Sequence, residues 1–584
     1  MNSPEAPRRG PATPGPQLGG HAPAAEMTLD SHRLGLLPVL NHLLERLRRE
    51  EFLRAYLPPD ERRCRISPAR GLMVLLKNLL LSREPLYGVG EWAAGYEPDA
   101  LGLSKEQVAA LNDDRVGRCL DRLFHSDCGS HVLAVVAHAV RVFAVRLDEL
   151  HNDSTTITFF GDYADAAQET RRRGQQRLAI TWGHNKDHRP DLKQLLFILT
   201  VTKDGGVPVH FQAKSGNMVD DRTHRATWDL LCQLTRRRDF LYVADCKLAT
   251  VENMAHVHRR GGRFLTVLPR SRSEDRTFRE SLARGQVRWR PIHDKQDERG
   301  ELVDRFSVCE EPALSAEGYR LVWYHSTRKA ELDALARTRQ VERALGERAE
   351  LCQKLASPRT RYHQRSKVSE AVEAIVQARG VGGWIRTEIQ ERVQETYRQE
   401  RPGRPNAQTR YVREESPRFE LKYDIDSVAL AAERVGDGIF PLITNDGVLS
   451  ERELLLAYKD QPVIEKRFAQ LKTDYEVAPV YLKEVNRIQA LLCMYFFVLL
   501  VEALLERELR RAMARAGLKS LPLYPEGRKC HRPTMRRLIE VFDNLQRHTL
   551  GVGSEPPVVL RTELSELQGT ILDLLGIPRS VYDR

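Results

Sequence analysis

Apolar positions along this chain change period several times, and the changes mark out its parts. Across residues 27–145 they recur at helical spacing. Leu34, Leu37, Leu40, Leu43, Leu44 and Leu47 form one stripe, and Leu72, Leu75, Leu76, Leu79 and Leu80 another. Pro58, Pro59 and Pro68 punctuate the stripes, so a helical domain is predicted there. From residue 150 the texture turns to strands. Residues 155–160 are β-branched and aromatic, 178–182 alternate, and 195–202 form a buried run. The turn Lys203-Asp-Gly-Gly206 then leads into a strand over 207–211. A helical pattern over 223–234 and strands over 240–244 and 263–268 follow. Beyond them periodicity weakens, and 327–410 is dominated by charged, helix-forming residues. Strand texture returns at 418–425 and 438–444, closed by the turn Asn445-Asp-Gly447.

This succession has a topological meaning. Three antiparallel strands, a helix and then a parallel strand is the ribonuclease-H-like order, in which the first and fourth strands lie side by side. Asp153 in the first and Asp245 at the end of the fourth then share the carboxyl edge of the sheet, where α/β ligand sites form. The expected fold is α/β: a ribonuclease-H-like mixed sheet with an N-terminal helical domain and a largely helical insertion before the last acid. The expected divisions are a disordered Pro/Gly/Ala-rich tail (1–26), the helical domain (27–145), and a first core segment (146–326). The insertion (327–415), a second core segment (416–510) and a C-terminal helical region (511–584) complete the chain.

The last acid sits on a predicted helix of its own. Residues 451–458 read as one helix, and Pro462 fits the first turn of the next, where its missing N–H costs little. Ile464, Phe468, Leu471 and Tyr475 make a stripe to pack on the sheet. Glu465 lies beside that stripe, and Lys472 shares its face almost two turns on.

Composition narrows the chemistry. A length of 584 residues implies several domains, a hydrophobic fraction of 41% excludes global disorder, and a net charge of +11 favours a polyanionic partner. The nine cysteines are scattered, with no Cys-x-x-Cys pair and no secretory signal, as expected of free thiols in a reducing cytoplasm. The apolar run 488–501, flanked by Arg487 and Glu502, is shorter than the roughly 20 residues of a bilayer span. It reads as a buried core helix, and no membrane association is expected.

Asp153, Asp245 and Glu465 therefore emerge as candidate metal ligands and catalytic acids. Carboxylate oxygens suit Mg²⁺, for which Mn²⁺ can substitute, and two such ions suit in-line attack on a phosphodiester. Arg171, Arg172, Arg173 and Arg177 are candidate phosphate contacts near Asp153. Asp162 and Asp165 fall in the exit loop of the first strand and are not ligand candidates. The segment 184–191 is dense in ionisable groups and reads as a structured turn, with Asp187 and Asp191 paired to Lys186 and Arg189.

At these residues the chain resembles the DDE transposases of bacterial insertion sequences, in the branch with a ribonuclease-H-like core. The resemblance spans most of residues 27–580. Besides the three acids it includes Gly183-His-Asn-Lys-Asp-His-Arg-Pro-Asp-Leu-Lys-Gln194, Ser215-Gly-Asn217 and Asp437-Gly-Ile-Phe-Pro-Leu-Ile-Thr-Asn-Asp446. It continues to Arg487-Ile-Gln-Ala490. The family motif around the glutamate runs tyrosine, arginine, glutamate, lysine. Tyr458, Glu465 and Lys472 match it, whereas the arginine position is Gln461; Arg467 and Lys459 are basic neighbours without the family spacing. The resemblance implies end cleavage and strand transfer on double-stranded DNA, at terminal inverted repeats and a target site, with two Mg²⁺. Tyr458, Lys472 and Arg467 would contact DNA. It also implies a homodimer on DNA in a bacterial cytoplasm, associated with the nucleoid. The alternatives are a nuclease of the same fold that never joins ends, and a decayed element acting as a DNA-binding repressor.

Overall fold

A computed structural model describes residues 27–59, 64–172, 174–218, 223–297, 299–477, 482–552 and 555–583; the side chain of Arg172 is also outside the description. The chain forms two compact units. One comprises residues 1–143, 170–177 and 473–584, the other 144–169 and 178–472.

The second unit is built on a ten-stranded mixed sheet. Its strands are β1 (Glu149–Phe159), β2 (Lys193–Thr202), β3 (Pro208–Ser215), β4 (Leu241–Ala244) and β5 (Arg263–Val267). They continue with β6 (Trp289–Gln296), β7 (Leu302–Cys309), β8 (Ala313–Leu314), β9 (Arg320–Ser326) and β10 (Ile439–Thr444). Their spatial order is β3-β2-β1-β4-β5-β10-β9-β7-β6, with β8 paired to β9. The first five are the ribonuclease-H-like set. β1 runs antiparallel to β2, β2 antiparallel to β3, and β1 parallel to β4.

Burial explains the strand identities. Every residue of β2 and of β4 is buried, as a central strand covered on both faces requires. The chain reaches β4 through the helix His224–Thr235, which buries Trp228 and Leu231. On the far half of the sheet, Val243, Leu265, Phe306, Tyr324 and Leu442 share a core with Leu454 and Leu455 of the helix Glu451–Lys459.

The structure departs from the sequence reading at particular places. Residues 178–182 are not a strand; only Thr181 bridges to Gln194. β6, β7 and β9 were not anticipated: β6 has no buried position and β7 alternates apolar with polar only in its second half, whereas β9 carries the buried run Leu321-Val-Trp-Tyr324, a signal that was overlooked. The insertion begins with the expected helices, Thr327–Ala356 and Arg365–Arg379, but ends in a long hairpin, Ile385–Gln399 with Tyr411–Ile425. Residues 418–425 are thus its returning strand and do not rejoin the core sheet.

The first unit is helical around Val485–Arg515, a helix long and apolar enough to cross a membrane by length and composition, with 94% of its most apolar window buried within the protein. That helix was assigned to the core segment 416–510 and belongs instead to this unit. Asp121 anchors its start, accepting from Arg487 Nε and Nη2 at 3.0 and 2.8 Å. The C-terminal region is not wholly helical. Gln546–Val552 pairs with both Met27–Arg33 and Val558–Arg561.

One glycine positions the helix that carries the last acid. Gly206 ends the β2–β3 turn at φ +64°, and a Cβ there would lie 2.6 Å from Val463 Cγ1 of the helix Pro462–Ala469. Gly206→Ala is therefore expected to cost about 1–3 kcal/mol through strain and overpacking, read as a lower urea midpoint with unchanged m-value.

Candidate active site at the sheet edge

Parallel pairing of β1 with β4 runs from Glu149 opposite Leu241 to Asn152 opposite Ala244. Asp153 and Asp245 come one residue later on each chain, so their carboxylates emerge at neighbouring points of one edge. Asp245 ends its strand and caps the short turn that follows, accepting from Lys247 N–H at 3.1 Å. Its carbonyl takes a hydrogen bond from Thr266 Oγ1 at 2.6 Å, which ties the strand end to β5.

The third acid comes from the helix Pro462–Ala469, which packs against β1 and β2. Ile464, Phe468 and Leu471 are buried and Glu465 is exposed, the arrangement the stripe predicts. Tyr475, the stripe's fourth member, belongs to the other unit, where its hydroxyl donates to Glu502 at 2.8 Å. The helix runs on into a π-helical turn, Gln470–Asp474, which carries Lys472.

Tyr458 feels the charge of all three acids. Its half-buried ring packs on the core beside Phe440, with centroids 6.1 Å apart. Burial pushes its hydroxyl up to about 12, and the negative charges of Asp245, Glu465 and Asp153, with the Cys246 thiol, all act in the same direction. Burial likewise pushes Asp153 up to about 6; Lys186 opposes the shift and Asp245 adds to it.

The segment 184–191, expected to be a self-contained turn, reaches into this site. Lys186 Nζ lies 3.3 Å from Asp153 Oδ1 and donates to Ser154 O and Oγ at 2.6 and 2.7 Å. Asp187 pairs not with Lys186 but with Lys472, 2.5 Å away. Only the Arg189–Asp191 pair is as expected. The loop is held from beneath: Asn185 Oδ1 accepts from Asp187 and Arg189 N–H, and Lys186 N–H donates to Thr156 Oγ1 on β1. A Cβ on Gly183 would sit 1.9 Å from the Gly216 carbonyl, so the two glycine motifs noted in the sequence are one close backbone approach. Lys186 and Asp187 are the residues that sequence reasoning undervalued; the density of ionisable groups was the available signal.

The basic candidates fare differently. Lys472 stands at the site through Asp187. Arg467 does not. It is buried, with Nε donating to Gly206 O at 2.9 Å, Nη2 to Gly205 O at 3.1 Å and Nη1 to Gln470 Oε1 at 2.7 Å. Its guanidinium is spent on pinning the Glu465 helix to the β2–β3 turn, which corrects its assignment to DNA. Lys459 lies over the Phe440 and Phe306 rings, at 4.7 and 5.1 Å from their centroids. Neither occupies the place of the motif arginine that Gln461 replaces. Arg171 and Arg177 lie on a small hairpin, Thr170–Arg172 with Gln175–Arg177, that belongs to the helical unit and not to the unit of Asp153. Arg171 is exposed and Arg177 half-buried; Arg173 and the Arg172 side chain lie outside the described residues. Asp162 and Asp165 are exposed beyond the end of β1.

Among the described residues, no three His, Cys, Asp or Glu side chains stand close enough together to hold a metal ion by themselves. Mg²⁺ does not ordinarily need one: it keeps several waters and is held by one or two carboxylates together with substrate phosphates. Two adjacent carboxylates, one made reluctant to ionise by burial and by its neighbour, are a donor set of that kind.

Against known proteins, a family model described as a domain of unknown function (DUF4277) matches residues 29–137. No curated protein matches the chain. Among solved structures, a piggyBac transposase synaptic complex with hairpin DNA aligns over 87% of this chain and 80% of that one, at 7% identity and a TM-score of 0.34.

The structural role of Arg467 is directly testable. Arg467→Met leaves two carbonyls and Gln470 without their donor, and is expected to cost about 2–5 kcal/mol. Urea denaturation should show that loss, while the DNA affinity of the folded protein stays at the wild-type value.

Proposed function

We propose that this chain is a DNA transposase of the DDE type: it cuts at the ends of a bacterial insertion sequence and joins the freed 3′-hydroxyl to target DNA. The reading is supported by the strand register that sets Asp153 beside Asp245, and by the charges of both acids and of Glu465 acting on Tyr458. The net charge of +11 supports a polyanionic substrate.

Asp153, Asp245 and Glu465 would hold Mg²⁺, which when bound supplies charge neutralisation at the scissile phosphate and lowers the pKa of the attacking hydroxyl or water. The other residues act on their own account. Lys186 keeps Asp153 ionised and oriented. With the Asp187-held Lys472, it brings positive charge to a site whose motif arginine is missing. Tyr458, kept protonated by burial and by the surrounding acids, offers its O–H as a donor to a phosphate oxygen. The same site serves cleavage and joining because water and the 3′-hydroxyl can attack in turn, with no covalent protein–DNA intermediate. Two ends must be paired for transposition, so a homodimer on double-stranded DNA, in a bacterial cytoplasm with the nucleoid, belongs to the proposal.

Asp245→Ala is expected to bind element ends normally and to lose nicking in Mg²⁺ or Mn²⁺ by about 10²–10³-fold or more; nicking at the wild-type rate would refute the assignment. Lys186→Met should lower the nicking rate by about 10–100-fold and raise the Mg²⁺ concentration needed for half-maximal rate. Incubating wild-type protein with pre-cleaved ends and a target plasmid separates the reactions: joined products identify a transposase, and cleavage without joining a nuclease.

A further inference from the structure

The hairpin Ile385–Gln399/Tyr411–Ile425 has two unlike halves. Its inner half is packed. Ile385, Ile389, Phe419, Leu421 and Tyr423 share one face and bury against the helices Thr327–Ala356 and Arg365–Arg379. The same face continues outward, where none of the described residues covers it. From the Val393–Pro417 pair to the Gln399–Tyr411 pair the ribbon extends about 20 Å further, at roughly 3.3 Å per residue. Val393 and Tyr397 are each 63% exposed and Tyr411 52%. A two-stranded ribbon with no covered face is at best marginally stable in water.

Charge identifies what would cover it. Along the outer strands most charges are matched: Arg413 pairs with Glu395 and Glu415 at 2.5 and 2.6 Å, and Arg398 lies 3.9 Å from Glu414. At the tip they are not. Arg401, Arg404 and Arg410 are exposed, none makes an ion pair among the described residues, and no acid lies between them; Glu400 precedes the first. The loop holding them is ordered by its own bonds, with Asn406 N–H donating to Thr409 Oγ1 at 2.8 Å and Glu400 N–H to Arg410 O at 3.0 Å.

We infer that this ribbon is a DNA arm that grips duplex phosphates with Arg401, Arg404 and Arg410 while Tyr397 and Tyr411 lie against the backbone beside them. A two-stranded ribbon fits the major groove, and arginine and tyrosine are ordinary donors to phosphate. The inference shares with the proposed function only the identity of the polymer. It concerns binding, not the carboxylate chemistry.

The test uses full-length protein and a fluorescein-labelled 30-base-pair duplex of arbitrary sequence in EDTA, with anisotropy read across a salt series. Removing three phosphate contacts in Arg401→Gln/Arg404→Gln/Arg410→Gln should lower the log–log salt slope by about 2–3 and weaken binding at least about tenfold near 0.15 M salt. A control triple of exposed arginines elsewhere, Arg146→Gln/Arg288→Gln/Arg528→Gln, should leave the slope near wild type. An unchanged slope in the tip variant, or an equal fall in the control, overturns the inference. So does DNA-free dimerisation, seen by sedimentation and lost in Val393→Lys, with DNA binding unaltered; the ribbon would then serve a second copy of the chain. None of these outcomes depends on nicking, so failure of the arm and failure of the active site are separately visible.

Discussion

Everything at the candidate site follows from placing two carboxylates side by side at the end of a parallel strand pair. Like charges so close repel, and burial together with the Asp245 charge makes Asp153 harder to ionise. The protein compensates with specific groups: Lys186 against Asp153, and the Lys247 backbone N–H against Asp245.

Two supports hold the edge in shape, and neither touches the chemistry. The Gly183–Gly216 approach lets a polar loop lie against the sheet and project Lys186 and Asp187 over its end. Arg467, buried and donating to two turn carbonyls, fixes the helix that bears Glu465. An arginine inside a basic motif invites a DNA-contacting role. Burial reverses that reading, because a guanidinium whose donors are already satisfied by the fold has nothing left for a phosphate.

The ribbon and the edge illustrate opposite uses of charge. At the edge, cations are matched to acids one by one and held at 2.5–3.3 Å. At the ribbon tip they are left unmatched on a projecting loop, where solvent screens them and a polyanion can collect them. The helical unit does something else again. Its long apolar helix is buried throughout its centre, with Asp121 holding Arg487 at its start.

How much of this was legible beforehand depends on what each residue's neighbours in sequence could reveal. The strands β1 to β5, the helix before β4 and the helices on either side of Gln461 carry their own signals: β-branched runs, a Gly-Gly turn, a proline at a helix start and an apolar stripe. Those signals determined the order of elements, and with it which acids would share an edge. They did not reveal β6, β7 or the insertion hairpin, whose mostly polar strands draw stability from pairing and so carry no periodic mark. Nor did they show that Val485–Arg515 packs with the N-terminal helices, or that Lys186 turns to Asp153 while Arg467 turns inward. Those outcomes depend on which side chains meet across long stretches of chain, and only the packed structure decides them.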